Sequence, residues 1–386
     1  MKTLTLSSRT KNIFYALIVV GVLSFGVAVI ENTAHAWHAY LVSFYFFLSL
    51  GIGGCFFAAT QYLTNAGWSA TVRRIPESMY SWLPFCILTF IPILLFGKYI
   101  YAWTNPELVA KDHLLQMKTA YLNIPFFLIR AVGFFAVWYF LGGRMIRNSL
   151  KQDKEGGTRL TDDSVKAAAI FMPLFAILFS LISVDLVMSL DPHWYSTMFG
   201  VNCFANMFLS TIALSIIFIV WMKRKGYFGQ TINENHIQNL GLLLFAFVIF
   251  YAYIVFCQFM LIWYANLPEE TSYYIRRWDN GWSIVAYLIL TFKFVVPFLL
   301  LLPRDAKRNM NRLVKIAYLV LVISWVDVFW MVMPNYSDHP FFPILEIGIF
   351  LGFFAGFCLC CANFLSKNPV QPQRDPRVRE ALNLHQ

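Results

Sequence analysis

Ser183-Val184-Asp185-Leu186-Val187-Met188-Ser189-Leu190-Asp191-Pro192-His193-Trp194-Tyr195 places a carboxylate inside an apolar helix and closes that helix with Asp-Pro-His-Trp. A carboxylate is costly to keep in hydrocarbon, so an acid within a membrane span marks a functional site by default. The device recurs at Val326-Asp327-Val328-Phe329-Trp330-Met331-Val332-Met333-Pro334, again with seven residues from Asp to Pro. The recurrence points to a chain built twice around one plan.

The surrounding composition supplies the solvent for that plan. Of the 386 residues, 59% are hydrophobic, 18% aromatic and only 13% charged. A soluble domain carries roughly 25% charged residues, so the chain reads as an integral membrane protein. Apolar runs near 20 residues mark helical spans. Ten are expected, at about 12–30, 37–64, 79–103, 121–142, 165–190, 197–222, 237–265, 279–302, 312–334 and 341–365. With short loops between them, residues 1–366 form one all-α membrane domain. Residues 367–386 form a polar tail, mobile or used for docking. The stretch 143–164, with Lys151-Gln152-Asp153-Lys154-Glu155-Gly156-Gly157, reads as a solvated inner connector.

The net charge of +10 invites a nucleic-acid reading, but the distribution of the charge excludes it. With the N-terminus inside, 23 of the 30 Lys and Arg fall in or beside inner segments, four in outer loops and three within spans. That asymmetry is the positive-inside rule, and it puts both termini in the cytoplasm. Lys2, Arg9 and Lys11, an apolar run and Ala34-His35-Ala36 imitate a signal peptide with its cleavage site. The run is longer than a signal core, about 7–15 residues, so it is taken as an uncleaved first helix. The seven cysteines all lie in apolar spans without metal-ligand spacing and read as packing residues.

Spans 2–5 and 6–9 read as copies, over about 37–192 and 193–334. Span 2 opens with His38-Ala39-Tyr40 and span 6 with His193-Trp194-Tyr195. Lys98 to Trp103 matches Gln258 to Trp263 in spacing, and each is followed by Asn, Pro and Glu. Glu107 to Arg130 is 23 residues and Glu269 to Lys293 is 24. Corresponding spans run in the same direction, so these are parallel repeats about an axis along the membrane normal. The expected architecture is two four-helix bundles flanked by spans 1 and 10.

Ionisable residues concentrate in the outer half of the spans. Asp185 and Asp327 lie roughly 10 Å deep and Arg130 roughly 13 Å, at 1.5 Å per residue. Arg130 and Asp185 are on consecutive antiparallel spans at matching depth. Lys293 meets Asp327 if its stem reaches outward. Lys98 and Glu346 are shallower. These six residues are either buried ion pairs that fix the bundles, since buried charges persist when paired, or the lining of a proton path open to the outside, or the polar walls of a quinol pocket. Glu31, His35 and His38 fall at i, i+4 and i+7, ligand types that would suit a metal on one uninterrupted helix. The loop between spans 1 and 2 interrupts that helix, so these three, with Asp191 and His193, read instead as outer-face contacts for a partner protein, and no metal is expected. No pair of histidines lies within the spans, which argues against a haem held by this chain.

The run Asp185 to Gly200, Asp-Leu-Val-Met-Ser-Leu-Asp-Pro-His-Trp-Tyr-Ser-Thr-Met-Phe-Gly, resembles the F-type membrane component of bacterial alternative complex III. Those complexes are quinol:cytochrome c oxidoreductases, and the F-type proteins belong with the NrfD-like, polysulfide-reductase-type membrane anchors. Trp263-Tyr264-Ala265-Asn266-Leu267-Pro268-Glu269 is similar too, and ten spans in two bundles extend the resemblance over nearly the whole chain. It implies a bacterial cytoplasmic (inner) membrane protein of the respiratory chain that binds no cofactor itself. Partners would be a homologous quinol-binding membrane subunit, a multihaem cytochrome c subunit and an iron–sulfur subunit. Menaquinol or another quinol would be the substrate of the whole complex. Asp185 and Asp191-Pro192-His193-Trp194 carry over as motif positions. The quinol-binding relative has Trp-His shortly after its membrane Asp; the order Asp-Pro-His-Trp here favours the F-type reading, a structural component with a proton path.

Two alternatives stay open. One is an NrfD-type anchor that oxidises quinol itself. The other is a free-standing secondary transporter, which parallel repeats and midplane charges also suit. Against the transporter, Gly51-Ile52-Gly53-Gly54 in span 2 has no counterpart in span 6.

Overall fold

The computed structural model describes residues 2–341 and 344–384. Ten helices long and apolar enough to cross a membrane follow one another: α1 (Ser8–Glu31), α2 (Thr33–Leu63), α3 (Arg74–Leu95), α4 (Ile124–Glu155), α5 (Arg159–Leu190), α6 (Phe199–Arg224), α7 (Glu234–Ala265), α8 (Trp282–Leu301), α9 (Met310–Asn335) and α10 (Ile344–Lys367). The protein is thus an all-α, multi-pass membrane protein, with no strand among the described residues.

Polar residues at the helix starts set the boundaries. The side chains of Ser7, Asn32, Asn123, Asn233 and Asn309 each accept a hydrogen bond from a free backbone N–H in the first turn that follows. Such caps satisfy donors that no intrahelical carbonyl can reach. Asn32 does this in an extended conformation, so it ends α1 and starts α2 in a single residue.

α2 is wholly enclosed and α6 nearly so, and the two pack on each other at the centre. Gly53 permits that approach, because a Cβ there would lie 1.9 Å from Thr211 Oγ1. Phe56 fills the adjoining space, with ring centroids 4.8 Å from both Phe175 and Phe208. α4 and α5 pack together on one side, and α7 and α9 pack against α6 on the other, with α8 against those two. α1, almost wholly exposed, lies along α10. Gly21 meets Gly352 backbone to backbone there, and Gly348 faces Ser24. Small residues at this spacing let membrane helices gain dispersion energy where no hydrophobic force drives them together.

Three expected boundaries need correction. Span 3 stops at Leu95, and 97–104 folds into two short 3-10 turns that bring Tyr101 and Trp103 back over α5. The connector expected at 143–164 is mostly helix. α4 runs on to Glu155 and α5 starts at Arg159, joined through Gly156 and Gly157 at φ +71° and +75°. The apolar run ends with the bilayer, but this helix does not end there: Met145, Ile146, Ser149 and Gln152 form a buried stripe at helical spacing.

The tail, expected to be mobile or used for docking, docks on its own chain. Arg73 and Arg74, at the start of α3, form a buried network with Glu77 (2.9 and 3.2 Å), Asp153 (2.9 Å from Arg74) and the tail's Asp375 (2.5 Å from Arg73). Three arginines, counting Arg377 beside Tyr62, face three carboxylates, so the cluster is neutral overall. Burial raises the Asp375 pKa, but Arg73 and the Arg377 N–H outweigh it and hold the carboxyl below its ordinary value.

Two outcomes test this packing. Gly21→Leu sets a Cβ 2.6 Å from the Gly352 Cα and should cost about 1–3 kcal/mol by overpacking, whereas Gly26→Leu, with nothing within 4 Å, should not lower the melting temperature in detergent. Asp375→Asn should expose the tail to trypsin at neutral pH, roughly tenfold faster at the cost of one charged hydrogen bond. Because the folded pKa is depressed, the docking is fully present above the ordinary aspartate value of about 3.9 and should be lost as the pH falls through the lower folded value.

Candidate functional site

Both expected ion pairs form. Arg130 grips Asp185 with two parallel bonds, Nε to Oδ2 at 2.8 Å and Nη2 to Oδ1 at 2.9 Å. Its remaining Nη1 donates to the Tyr121 carbonyl at 3.1 Å, and the guanidinium lies 3.9 Å from the Tyr121 ring centroid. Asp185 is fully buried. Above it, the Ser189 hydroxyl donates to the Asp185 carbonyl at 2.7 Å, Trp103 Nε1 donates to Ser189 Oγ, and the Tyr101 hydroxyl donates to the Leu186 carbonyl. The returning loop after α3 thus seals this pair.

The second pair is built differently. Lys293 Nζ lies 2.6 Å from Asp327 Oδ2 and 2.6 Å from Asn206 Oδ1, and the Tyr251 hydroxyl donates to Asp327 Oδ2 at 3.0 Å. The ammonium sits 3.6 Å from the Tyr251 ring centroid. One lysine therefore collects ligands from α6, α7 and α9. Lys293 lies in a π-helical stretch, Leu290–Val295. Such local widenings of a helix occur often at functional sites. Asn202 Oδ1 and Ser324 Oγ, close by in sequence on α6 and α9, are buried without a partner among the described residues. Two residues before Asp185, Ser183 shares a 2.8 Å hydrogen bond with Tyr45 of α2.

The other sequence-predicted residues divide. Glu346 is buried and pairs with His35 at 2.5 Å, joining α10 to α2. His38 is buried, and its Nδ1 bonds its own Ala34 carbonyl at 2.8 Å. Asp191 is buried against Arg276 at 3.1 Å. Only Glu31 and His193 of the five expected outer contacts are exposed, and His193 already pairs with Asp112 at 2.6 Å. The helix break at Asn32 separates Glu31 from the histidines, and no group of three metal-ligating side chains occurs among the described residues. Lys98 joins neither pair: it is exposed, 5.0 Å from the Tyr99 ring centroid, because α3 ends before it. Its expected counterpart Gln258 is buried.

Several residues escape a reading of the sequence. Tyr45, Asn206 and Tyr251 are uncharged and carry no signal in an apolar run. Arg277 reads in the sequence only as outer-loop charge. It is buried and donates to the Trp330 and Met331 carbonyls at 3.3 and 2.7 Å, neutralising the C-terminal end of α9. It also stacks on Tyr273, whose phenol burial pushes up to about 12. Asp112, in the loop between α3 and α4, is held below its ordinary value: slight desolvation is outweighed by the Leu115 N–H, His193 and the Leu114 N–H. The Arg73–Glu77 spacing of the network at the start of α3 is legible as an i, i+4 pair.

No protein-family model matches the chain, and no curated protein matches it.

Breaking a buried pair by removing one partner costs about 3–5 kcal/mol, whereas replacing both partners with apolar residues is close to neutral. Arg130→Met and Asp185→Leu should therefore each destabilise strongly, while the double variant should recover most of the loss in a detergent melting series.

Proposed function

We propose that this chain is a cofactor-free membrane subunit of a bacterial respiratory quinol:cytochrome c oxidoreductase, in which the Lys293–Asp327 pair exchanges protons and the Arg130–Asp185 pair is structural. The complex assignment rests on the resemblance carried by Asp185 to Gly200 and Trp263 to Glu269. The division of labour rests on chemistry. A guanidinium does not give up its proton in a protein, whereas a buried lysine does so readily. Asp185 is locked by two charge-assisted bonds, so moving a proton onto it means dismantling the pair. At the second site one proton can be held by lysine or carboxylate, and the Tyr251 hydroxyl offers a third position 3.0 Å away. Chains of buried ionisable groups are how membrane proteins relay protons. The single observation that carries the reading is this four-residue cluster of Lys293, Asp327, Tyr251 and Asn206 inside the span region.

The excess of Lys and Arg on one side of the spans supports placement in the cytoplasmic membrane with both termini inside. On this reading haem c and iron–sulfur centres belong to partner subunits on the outer side, and quinol is oxidised in the homologous membrane subunit.

Gentle solubilisation of the tagged protein should bring with it c-type haem, iron–sulfur subunits and quinol:cytochrome c activity; a colourless protein running alone would overturn the assignment. In the complex reconstituted into vesicles, Asp327→Asn and Tyr251→Phe should lower the protons moved per electron while electron transfer continues. The Arg130→Met/Asp185→Leu double variant should leave that ratio unchanged. Equal ratios in all variants would remove the proton role from the second pair.

A further inference from the structure

A groove of about 1060 Å³ runs along the outside of the protein between α1 and α3, with α10 as its floor. Its walls are mainly apolar, with Ile18, Val22 and Phe25 on α1, Phe85 on α3, and Phe353 and Leu359 on α10; Ser81 and Thr89 add hydroxyls on α3. Gly352 and Gly356 line the floor, and a Cβ on Gly356 would already meet the Trp82 ring at 3.3 Å, so these glycines keep the channel deep. Trp82 is buried in its wall, and its Nε1 has no partner among the described residues. At the end where α1 begins and α10 stops, Lys11 and Lys367 line the groove, both exposed and in no ion pair among the described residues. That end lies on the side that carries the excess of Lys and Arg.

We infer that this groove binds one anionic diacyl phospholipid, its phosphate held between Lys11 and Lys367 and its chains laid along the α10 floor. The dimensions fit. From Lys11 to Phe25 is fourteen residues, about 21 Å of helix, which exceeds the roughly 15 Å hydrocarbon depth of one leaflet, half of about 30 Å. The volume lies at the upper end for small-molecule pockets, which run to about 1,000 Å³, as two acyl chains require. The charge fits as well, since basic pockets between helices on the lysine-rich side take anionic headgroups. A channel walled mainly by apolar side chains from rim to midplane and basic only at the rim is complementary to an amphiphile, not to a soluble anion.

The full chain, purified in mild detergent, would be titrated with palmitoyl-oleoyl phosphatidylglycerol and with phosphatidylcholine of the same chains, and occupancy read by native mass spectrometry. One phosphatidylglycerol should be retained in preference to phosphatidylcholine. Lys11→Gln/Lys367→Gln should abolish the preference, weakening phosphatidylglycerol roughly thirty-fold at the usual worth of two lysines near an anionic surface. Val22→Trp, at an exposed wall position, should reduce retention of both lipids without lowering the melting temperature. Equal retention of the two lipids by the wild type, an unchanged preference in the lysine variant, or preferential retention of added menaquinone-4 would each overturn the proposal.

Discussion

A charge cannot be left alone in a medium of low dielectric, and that constraint accounts for more of this structure than any apolar contact. Transferring an ion into such a medium costs several kcal/mol even after relaxation. Buried charges here meet a partner or a set of carbonyls: Arg130 with Asp185, Lys293 with Asp327, His35 with Glu346, and Arg277 with the end of α9. Three of these four contacts join helices separated in sequence by a loop or by most of the chain. Apolar packing brings membrane helices together without fixing their depth, because lipid is as apolar as leucine. The pairs supply the register that packing leaves open.

The two acids are alike in sequence and unlike in chemistry. Around Asp185 the partner is an arginine, the geometry is a two-bond clamp, and a returning loop covers it with Tyr101 and Trp103. Around Asp327 the partner is a lysine in a π-helical stretch, with a phenol and an amide from two further helices within 3.0 Å. The first arrangement suits a fixed joint between α4 and α5. The second is a set of groups among which one proton has several places to sit. Lysine and arginine are not interchangeable in this respect, so the two pairs differ in how readily a proton can leave them.

The periphery follows the same economy of small residues and neutralised charge. Gly21, Gly348 and Gly352 let α1 lie against α10 despite its almost complete exposure to lipid. On the lysine-rich side the tail crosses the helix ends and neutralises Arg73 with Asp375, in a network that also ties down the extension of α4 through Asp153. Covering a buried arginine pair with one's own tail removes a charge that would otherwise need a partner or water.

Ten spans, their order and the one-sided distribution of basic residues were legible in the sequence, because each depends on local composition set against the thickness of a bilayer. The pairing of Arg130 with Asp185 was legible too, since consecutive antiparallel helices bring equal depths together. Lys98 falls outside the spans because the helix ends at Leu95, although hydropathy continues past it. Tyr45, Asn206 and Tyr251 could not be singled out: a polar, uncharged residue in an apolar run becomes part of a site only through what faces it. Desolvation acts on each residue wherever it lies, so residue order alone shows which ionisable groups need partners and at about what depth. That Asn206 and Tyr251 join the Lys293–Asp327 pair, that the tail folds onto its own chain, and that one aspartate is clamped while the other shares its lysine depend on directions between helices that no spacing along the chain encodes.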